Sequence, residues 1–265
     1  MIKIAASPTI FQYSDKMFNF FTKKNKITDI SWLGIDMHSH ILPGIDDGSP
    51  DVATSLRFVK SLEDLGFHQL IATPHIFKEL YPNTKITIDQ AKLALQLAMD
   101  QAKVSLKLDS GAEYMIDQDF DLEAEMCSIQ EKFLLIEMSY LNESPNISQR
   151  VFDVEIKGYQ PILAHPERYI FYFKDKTKLN RFKEKGCLLQ LNLLSIVGYY
   201  GKEVKQLAEY LLKENMYDLA GTDLHHDKHL NTLTDAVQSG KLYDLIGLYP
   251  FKNKELFGQS VTETL

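Results

Sequence analysis

The chain has 265 residues, a mass of 30.4 kDa and a formal net charge of −7, with 45% hydrophobic and 25% charged residues. Such a composition excludes wholesale disorder and fibrous classes, and the acidic balance argues against broad nucleic-acid binding, which needs Lys and Arg to neutralise phosphates. Cys127 and Cys187 form no CxxC pair, and there is neither a bilayer-length apolar run nor a signal-like start, so the expected protein is cytoplasmic, reduced and without a transmembrane segment.

Residues 1–30 read as an N-terminal extension and residues 31–265 as one domain. Within the extension, residues 17–26 set aromatic side chains beside Lys23, Lys24 and Lys26. That run reads either as a loose arm or as one that packs on a partner subunit or a membrane surface, which leaves a homo-oligomer open.

Beyond the extension, short apolar runs predict buried strands at 33–37, 69–73, 105–111, 133–138, 161–164, 188–191 and 217–220. Helical patterns fall between them. Ser49-Pro50-Asp51 supplies a cap, a first-turn proline and an acid near the positive dipole end. Val52, Leu56, Val59 and Leu62 then follow at helical spacing, and Gly66 stops the run. Further helices are expected at 88–103, 147–157, 176–185 and 202–214. Strands that begin about 25–40 residues apart suit βα units. The sum is an α/β barrel of the TIM type with one strand fewer than eight.

The histidines and acids fall where those strands end. His38 and His40 follow the first strand with Asp46 in the loop beyond, and His75 follows the second. Glu113 follows the third, Glu137 lies near the end of the fourth, His165 follows the fifth, and Asp223 and His225 follow the seventh. In a parallel barrel all strand C-termini open on one face, so these residues converge on one rim. His38 and His40 are two apart, as are Asp223 and His225, so in extended chain each pair points one way. Imidazole with carboxylate suits Zn, Mn or Fe. One His-x-His is weak evidence for a metal; a donor from each of several strand ends is much stronger. The acids repel one another unless cations neutralise them, and a rim loaded with divalent ions attracts anions, which favours metal-assisted phosphoester hydrolysis.

These motifs carry a resemblance. Residues 36–48 (DMHSHILPGIDDG), Thr73-Pro74-His75, Gly111-Ala112-Glu113, Leu135-Ile136-Glu137, residues 164–169 (AHPERY) and Gly221-Thr222-Asp223-Leu224-His225 together resemble the polymerase-and-histidinol-phosphatase (PHP) superfamily. Within it the chain is most similar to the bacterial protein-tyrosine phosphatases of capsule and exopolysaccharide synthesis. The resemblance implies a distorted (β/α)7 barrel with three divalent ions (manganese, iron or zinc) and a phosphotyrosine substrate on a partner tyrosine kinase. It implies a first ion on His38, His40, Glu113 and Asp223, a second on Glu113, Glu137 and His165, and a third on Asp46, His75 and His225. It also implies Arg168 as the phosphate clamp, with His225 taken as catalytic beside it. The expected reaction is in-line attack by a metal-bound hydroxide without a covalent intermediate, because a phenolate with a pKa near ~10 leaves without a strong acid.

The chain departs from the family after His225. Relatives tend to carry Asn and then Arg; here His226, Asp227, Lys228 and His229 follow. Whether Lys228 or His229 replaces a second phosphate-binding arginine is left open by the sequence, and His226 and His229 read equally as solvated. Neither cysteine lies in a phosphate-cradling loop that ends in Arg, which sets aside thiolate chemistry. The competing readings are a small-molecule phosphomonoesterase acting on histidinol phosphate or a nucleotide, a nuclease-like domain, and a non-catalytic metal-stabilised scaffold that docks on a kinase.

Overall fold

A computed structural model describes residues 26–118, 120–122 and 125–258. Most of the expected extension, and with it all but Lys26 of the aromatic and lysine run, lies outside the described residues. The end of that extension already belongs to the folded unit. Ile30 is fully buried, and its N–H donates to the Leu65 carbonyl at 2.8 Å.

The strands are β1 (Ile35–Ser39), β2 (Gln69–Ala72), β3 (His75–Ile76), β4 (Lys107–Ser110), β5 (Glu113–Met115), β6 (Phe133–Glu137), β7 (Gln160–Ala164), β8 (Leu188–Asn192) and β9 (Leu219–Gly221). They form two sheets, ordered β1-β2-β4 and β3-β5-β6-β7-β8-β9, and every strand pair is parallel. The helices are α1 (Val52–Asp64), α2 (Lys85–Gln101), α3 (Ile147–Ile156), α4 (Asn180–Glu184), α5 (Leu193–Val197), α6 (Lys202–Lys213), α7 (Asp227–Gln238), α8 (Lys241–Ile246) and α9 (Asn253–Phe257). The fold is mixed α/β with parallel sheets.

All seven expected strands are present, and two short strands that were not expected follow the second and third. The second is β2, and β3 lies past its end across Thr73-Pro74, where proline lacks the N–H that would continue the ladder. The third is β4, and β5 lies past its end across Gly111-Ala112. The Gly111 N–H still donates to the Ala72 carbonyl (2.9 Å) and the Glu113 N–H to that of Pro74 (3.0 Å), so pairing crosses both breaks. Where β9 meets β1, Asp223 N–H donates to the His38 carbonyl (2.8 Å) and His40 N–H to that of Leu224 (3.0 Å). Just below, the buried Asp36 carboxylate accepts from the Thr222 N–H (2.9 Å) and hydroxyl (2.5 Å).

Two helix expectations need correction. Asp51, not Ser49, caps α1, its carboxylate accepting from Thr54 N–H at 2.8 Å; the Ser49 hydroxyl is buried and held by that of Ser55. The helix expected at 176–185 is a 3-10 turn, Lys176–Leu179, followed by the short α4.

Side-chain alternation links the core to the site. On β6, Phe133 and Leu135 enter a small apolar cluster with Ile35, Met37, Ile71, Ile162, Ala164 and Leu219. Glu137 lies on the same face two residues later, so the alternation that buries Leu135 aims this carboxylate just beyond the cluster. The larger core fills the space between strands and helices.

Candidate metal centre

His38 and His40 are fully buried at the end of β1. The partners of their outer ring nitrogens set their tautomers. The Gln190 side-chain amide donates to the Leu191 carbonyl, so its Oε1 faces His38 Nδ1 at 3.0 Å and accepts that proton. His40 Nδ1 donates to Asp46 Oδ2 at 2.8 Å. In neutral rings, both Nε2 atoms then carry lone pairs. They lie 3.2 Å apart, with Glu113 Oε2 at 3.2 and 3.3 Å and Asp223 Oδ1 at 3.4 Å from each. Lone pairs and carboxylate oxygens crowded together without protons to share are what a cation stabilises. Glu113 Oε2 and His165 Nδ1 are, moreover, buried with no hydrogen-bond partner among the described residues. Outer partners on the ring N–H are the usual support of a metal-binding histidine.

The other donors arrive from the remaining strand ends. His75 Nδ1 lies 2.9 Å from Glu137 Oε1 and 3.3 Å from Glu113 Oε2. His165 Nε2 lies 3.0 Å from Glu113 Oε1. The His225 ring stacks on that of His40 at 3.9 Å, and its Nδ1 donates to the Asp223 carbonyl at 2.9 Å, which frees Nε2. His165 and Asp223 both take left-handed backbone, with φ of 33° and 51°. For non-glycine residues this strained geometry clusters at functional sites, and here both residues deliver donors. Among the described residues, three groups offer ligand atoms within 4.8 Å of one another: His38, Glu113, His165 and Asp223; His75, Glu113 and Glu137; and His40, Asp47, His75 and His225.

The structure therefore brings His38, His40, His75, Glu113, Glu137, His165, Asp223 and His225 together. Asp46 is placed differently from the expectation. Its carboxylate turns back to accept from His40 Nδ1, from Gly48 N–H (3.0 Å) and from His75 N–H (3.2 Å). Its neighbour Asp47 reaches inward instead, 3.5 Å from His75 Nε2 and 3.6 Å from His225 Nε2. His40 falls in the group with Asp47, His75 and His225 rather than in that of His38, although its Nε2 also lies 3.2 Å from His38 Nε2 and 3.3 Å from Glu113 Oε2.

Electrostatics follow this geometry. Burial disfavours charge on His40, but Asp46, Asp223 and Glu113 hold it well above its ordinary pKa. Burial and the neighbouring His40 oppose protonation of His75, yet Glu137 and Glu113 raise it to about 9. Burial opposes ionisation of Glu113 and Asp223, but the surrounding histidines, led by His38, keep both well below the usual range. His225 goes the other way, lowered to about 4 by burial and by His40. Positive charge is what these carboxylates call for, and protons on histidine supply part of it.

Above the donors lies a cavity of about 390 Å³ lined by His75, Glu137, His225, Arg168, Tyr140 and Tyr200, among others. The Arg168 guanidinium is held between the Tyr140 and Tyr200 rings, 4.3 and 4.2 Å from their centroids. It donates to Asp223 Oδ2 at 2.6 Å, and Asn192 Nδ2 donates to the same oxygen at 2.9 Å. His226 is exposed, as read, but His229 is 7% exposed and lines the cavity, which corrects its reading as solvated. The His225 N–H donates to His229 Nδ1 at 3.3 Å. Lys228 stands instead over the Tyr199 ring at 5.7 Å.

Sequence reasoning missed Asp47, Gln190, Tyr140 and Tyr200. Asp47 shared its loop with a second carboxylate, and Gln190 sat inside an apolar strand run without any metal-like spacing. The tyrosines are remote from Arg168 in sequence.

Comparison with known proteins places the chain among relatives. The profile of the family described as "Capsular polysaccharide synthesis, CpsB/CapC" matches residues 34–238. The tyrosine-protein phosphatase YwqE of Bacillus subtilis is 30% identical over 201 residues, 74% of this chain and 79% of that one. The tyrosine-protein phosphatase CpsB of Streptococcus agalactiae is 25% identical over 201 residues, 72% and 83% of the two chains. Among solved structures, the chain matches one from work on YwqE of B. subtilis and CpsB of Streptococcus pneumoniae, described as unique metal-dependent tyrosine phosphatases. The TM-score is 0.75 and the identity 28%, over 83% of this chain and 91% of that one. With donors at successive strand ends and a family profile across most of its length, the chain belongs to the CpsB/CapC capsular polysaccharide synthesis family.

Proposed function

We propose that the chain is a metal-dependent protein-tyrosine phosphatase of the cytoplasm, acting on phosphotyrosine of a tyrosine kinase of capsule or exopolysaccharide synthesis. The observation that carries this reading is the convergence of three donor groups with Arg168 at one mouth. We read the strands as a distorted seven-stranded PHP-type barrel, counting β2 with β3 and β4 with β5 as single broken strands. The bonds between the ends of β1 and β9 support that count.

Three divalent ions, manganese first and iron or zinc as alternatives, suit these imidazole and carboxylate donors. His38, Glu113, His165 and Asp223 would hold one, His75, Glu113 and Glu137 another, and His40, Asp47, His75 and His225 the third. When bound, such ions supply positive charge for phosphate oxygens and make water at the site more acidic. Asp46 and Gln190 orient His40 and His38. Arg168 offers its remaining N–H groups to the phosphate, held in place by Asp223 and by two tyrosine faces. His225, at the edge of the cavity with Nδ1 engaged by the Asp223 carbonyl, presents Nε2 to the third donor group, and the phenolate leaves without a strong side-chain acid. Both thiols are buried and neither lines the cavity, and we read the displacement as direct.

The mouth favours a protein substrate over a small metabolite. Asp47 and Leu80 at its edge are more than half exposed. The test compares kcat/KM for a phosphotyrosine peptide, a phosphoserine peptide and histidinol phosphate with added Mn. Preference for phosphotyrosine is expected. Preference for histidinol phosphate would overturn the substrate assignment, and no turnover of any of them would favour the scaffold reading.

A further inference from the structure

A second cavity, of about 530 Å³, adjoins the catalytic one. The two share Phe77, Met115 and Tyr140 as a common wall. Tyr140 therefore holds Arg168 at 4.3 Å while also bordering the second cavity. Ile116, Met138 and Leu141 add to an apolar lining. Ile116 and Met138 are fully buried, whereas Leu141 is 67% exposed at the edge.

The cavity is built rather than incidental. Ile116 N–H donates to the Glu137 carbonyl at 2.8 Å, so the cavity floor is fixed to a residue of the metal centre. The loop that carries Leu141 is pinned at both ends. Ile170 N–H donates to the Tyr140 carbonyl at 3.1 Å, and the Ser144 hydroxyl donates to the Ile116 carbonyl. Glu143 in the same loop is ion-paired with Arg181, which offsets its charge. A volume of this size and apolar character matches the pockets that accept ligand side chains.

Resting on the phosphatase reading, we infer that this cavity is a specificity subsite that takes a large apolar side chain next to the phosphotyrosine of the substrate protein. The occupant follows from continuity. A chain whose phosphotyrosine lies against Arg168 passes its neighbouring residues over the wall formed by Phe77, Met115 and Tyr140. An aliphatic or aromatic side chain there leaves water for an apolar surface, whereas an acidic one loses hydration without a partner.

The experiment is a leucine scan of a phosphotyrosine peptide with alanine at the neighbouring positions, run beside p-nitrophenyl phosphate with added Mn. Leucine at one or two positions on one side should raise kcat/KM about tenfold over alanine, the scale of burying one such side chain. In the Leu141→Asp variant that leucine-to-alanine ratio should fall toward one. In Leu141→Arg the preference should move to glutamate at the same position, a gain that only a folded enzyme shows. A flat scan with p-nitrophenyl phosphate still hydrolysed, or a ratio unmoved by either substitution, would overturn the subsite alone. Failure to hydrolyse both substrates would overturn the phosphatase reading beneath it.

Discussion

Asp46 and Asp47 are neighbouring carboxylates in one loop, and their partners alone separate them. Asp46 is spent on His40 Nδ1 and on two backbone N–H groups, while Asp47 faces His75 and His225. Asp46→Asn should weaken metal affinity by roughly 10- to 100-fold, with turnover restored by excess metal, as expected when an orienting partner is lost. Asp47→Asn should leave a deficit that excess metal does not remove, and Mn titration of activity distinguishes the two. Arg168→Lys should lower kcat/KM about 10- to 100-fold, because an ammonium neither stacks between two tyrosines nor forks onto phosphate. Steady-state kinetics on a phosphotyrosine peptide check this. Iodoacetamide at pH 7 to 9 should leave activity intact. Both cysteines are buried, and burial pushes the Cys187 thiol up to about 12. At this scale the donors were legible as residue types at strand ends. The sense in which each of two adjacent acids points was not, because that depends on which backbone N–H groups lie nearby.

At the scale of elements, apolar runs marked every strand that enters the core. They did not reveal β3 and β5, which carry His75 and Glu113 across breaks at Pro74 and Gly111. A ladder can resume after such a break only because a neighbouring strand is there to receive it, and that neighbour is distant in sequence. Gln190 was hidden for a related reason. In a strand of leucines it reads as core, and its role appears only when β8 pairs with β7 and its side chain reaches His38 of β1. The β9–β1 junction is the element on which the geometry leans most. Thr222→Val should destabilise the protein by about 1–3 kcal/mol, because it removes the hydroxyl from the buried Asp36 Oδ2 and leaves only backbone N–H donors on Oδ1. Urea unfolding checks this, and an unchanged midpoint would show that Asp36 finds another partner.

For the whole molecule, the donors are scattered from residue 38 to residue 225 and meet in one place only when the fold forms. Cations bound there therefore stabilise the native state by mass action. Chelation should lower the melting temperature by several degrees, and added Mn should restore it in a concentration-dependent way; a calorimetric scan reads both. The negative formal charge of the chain, −7, is consistent with acids gathered to hold cations rather than with a surface made to meet nucleic acid.

Phosphotyrosine turnover before and after complete chelation, and again after Mn is returned, tests the central claim most directly. The account predicts loss on chelation and recovery with Mn. Turnover that persists in metal-depleted protein would contradict it.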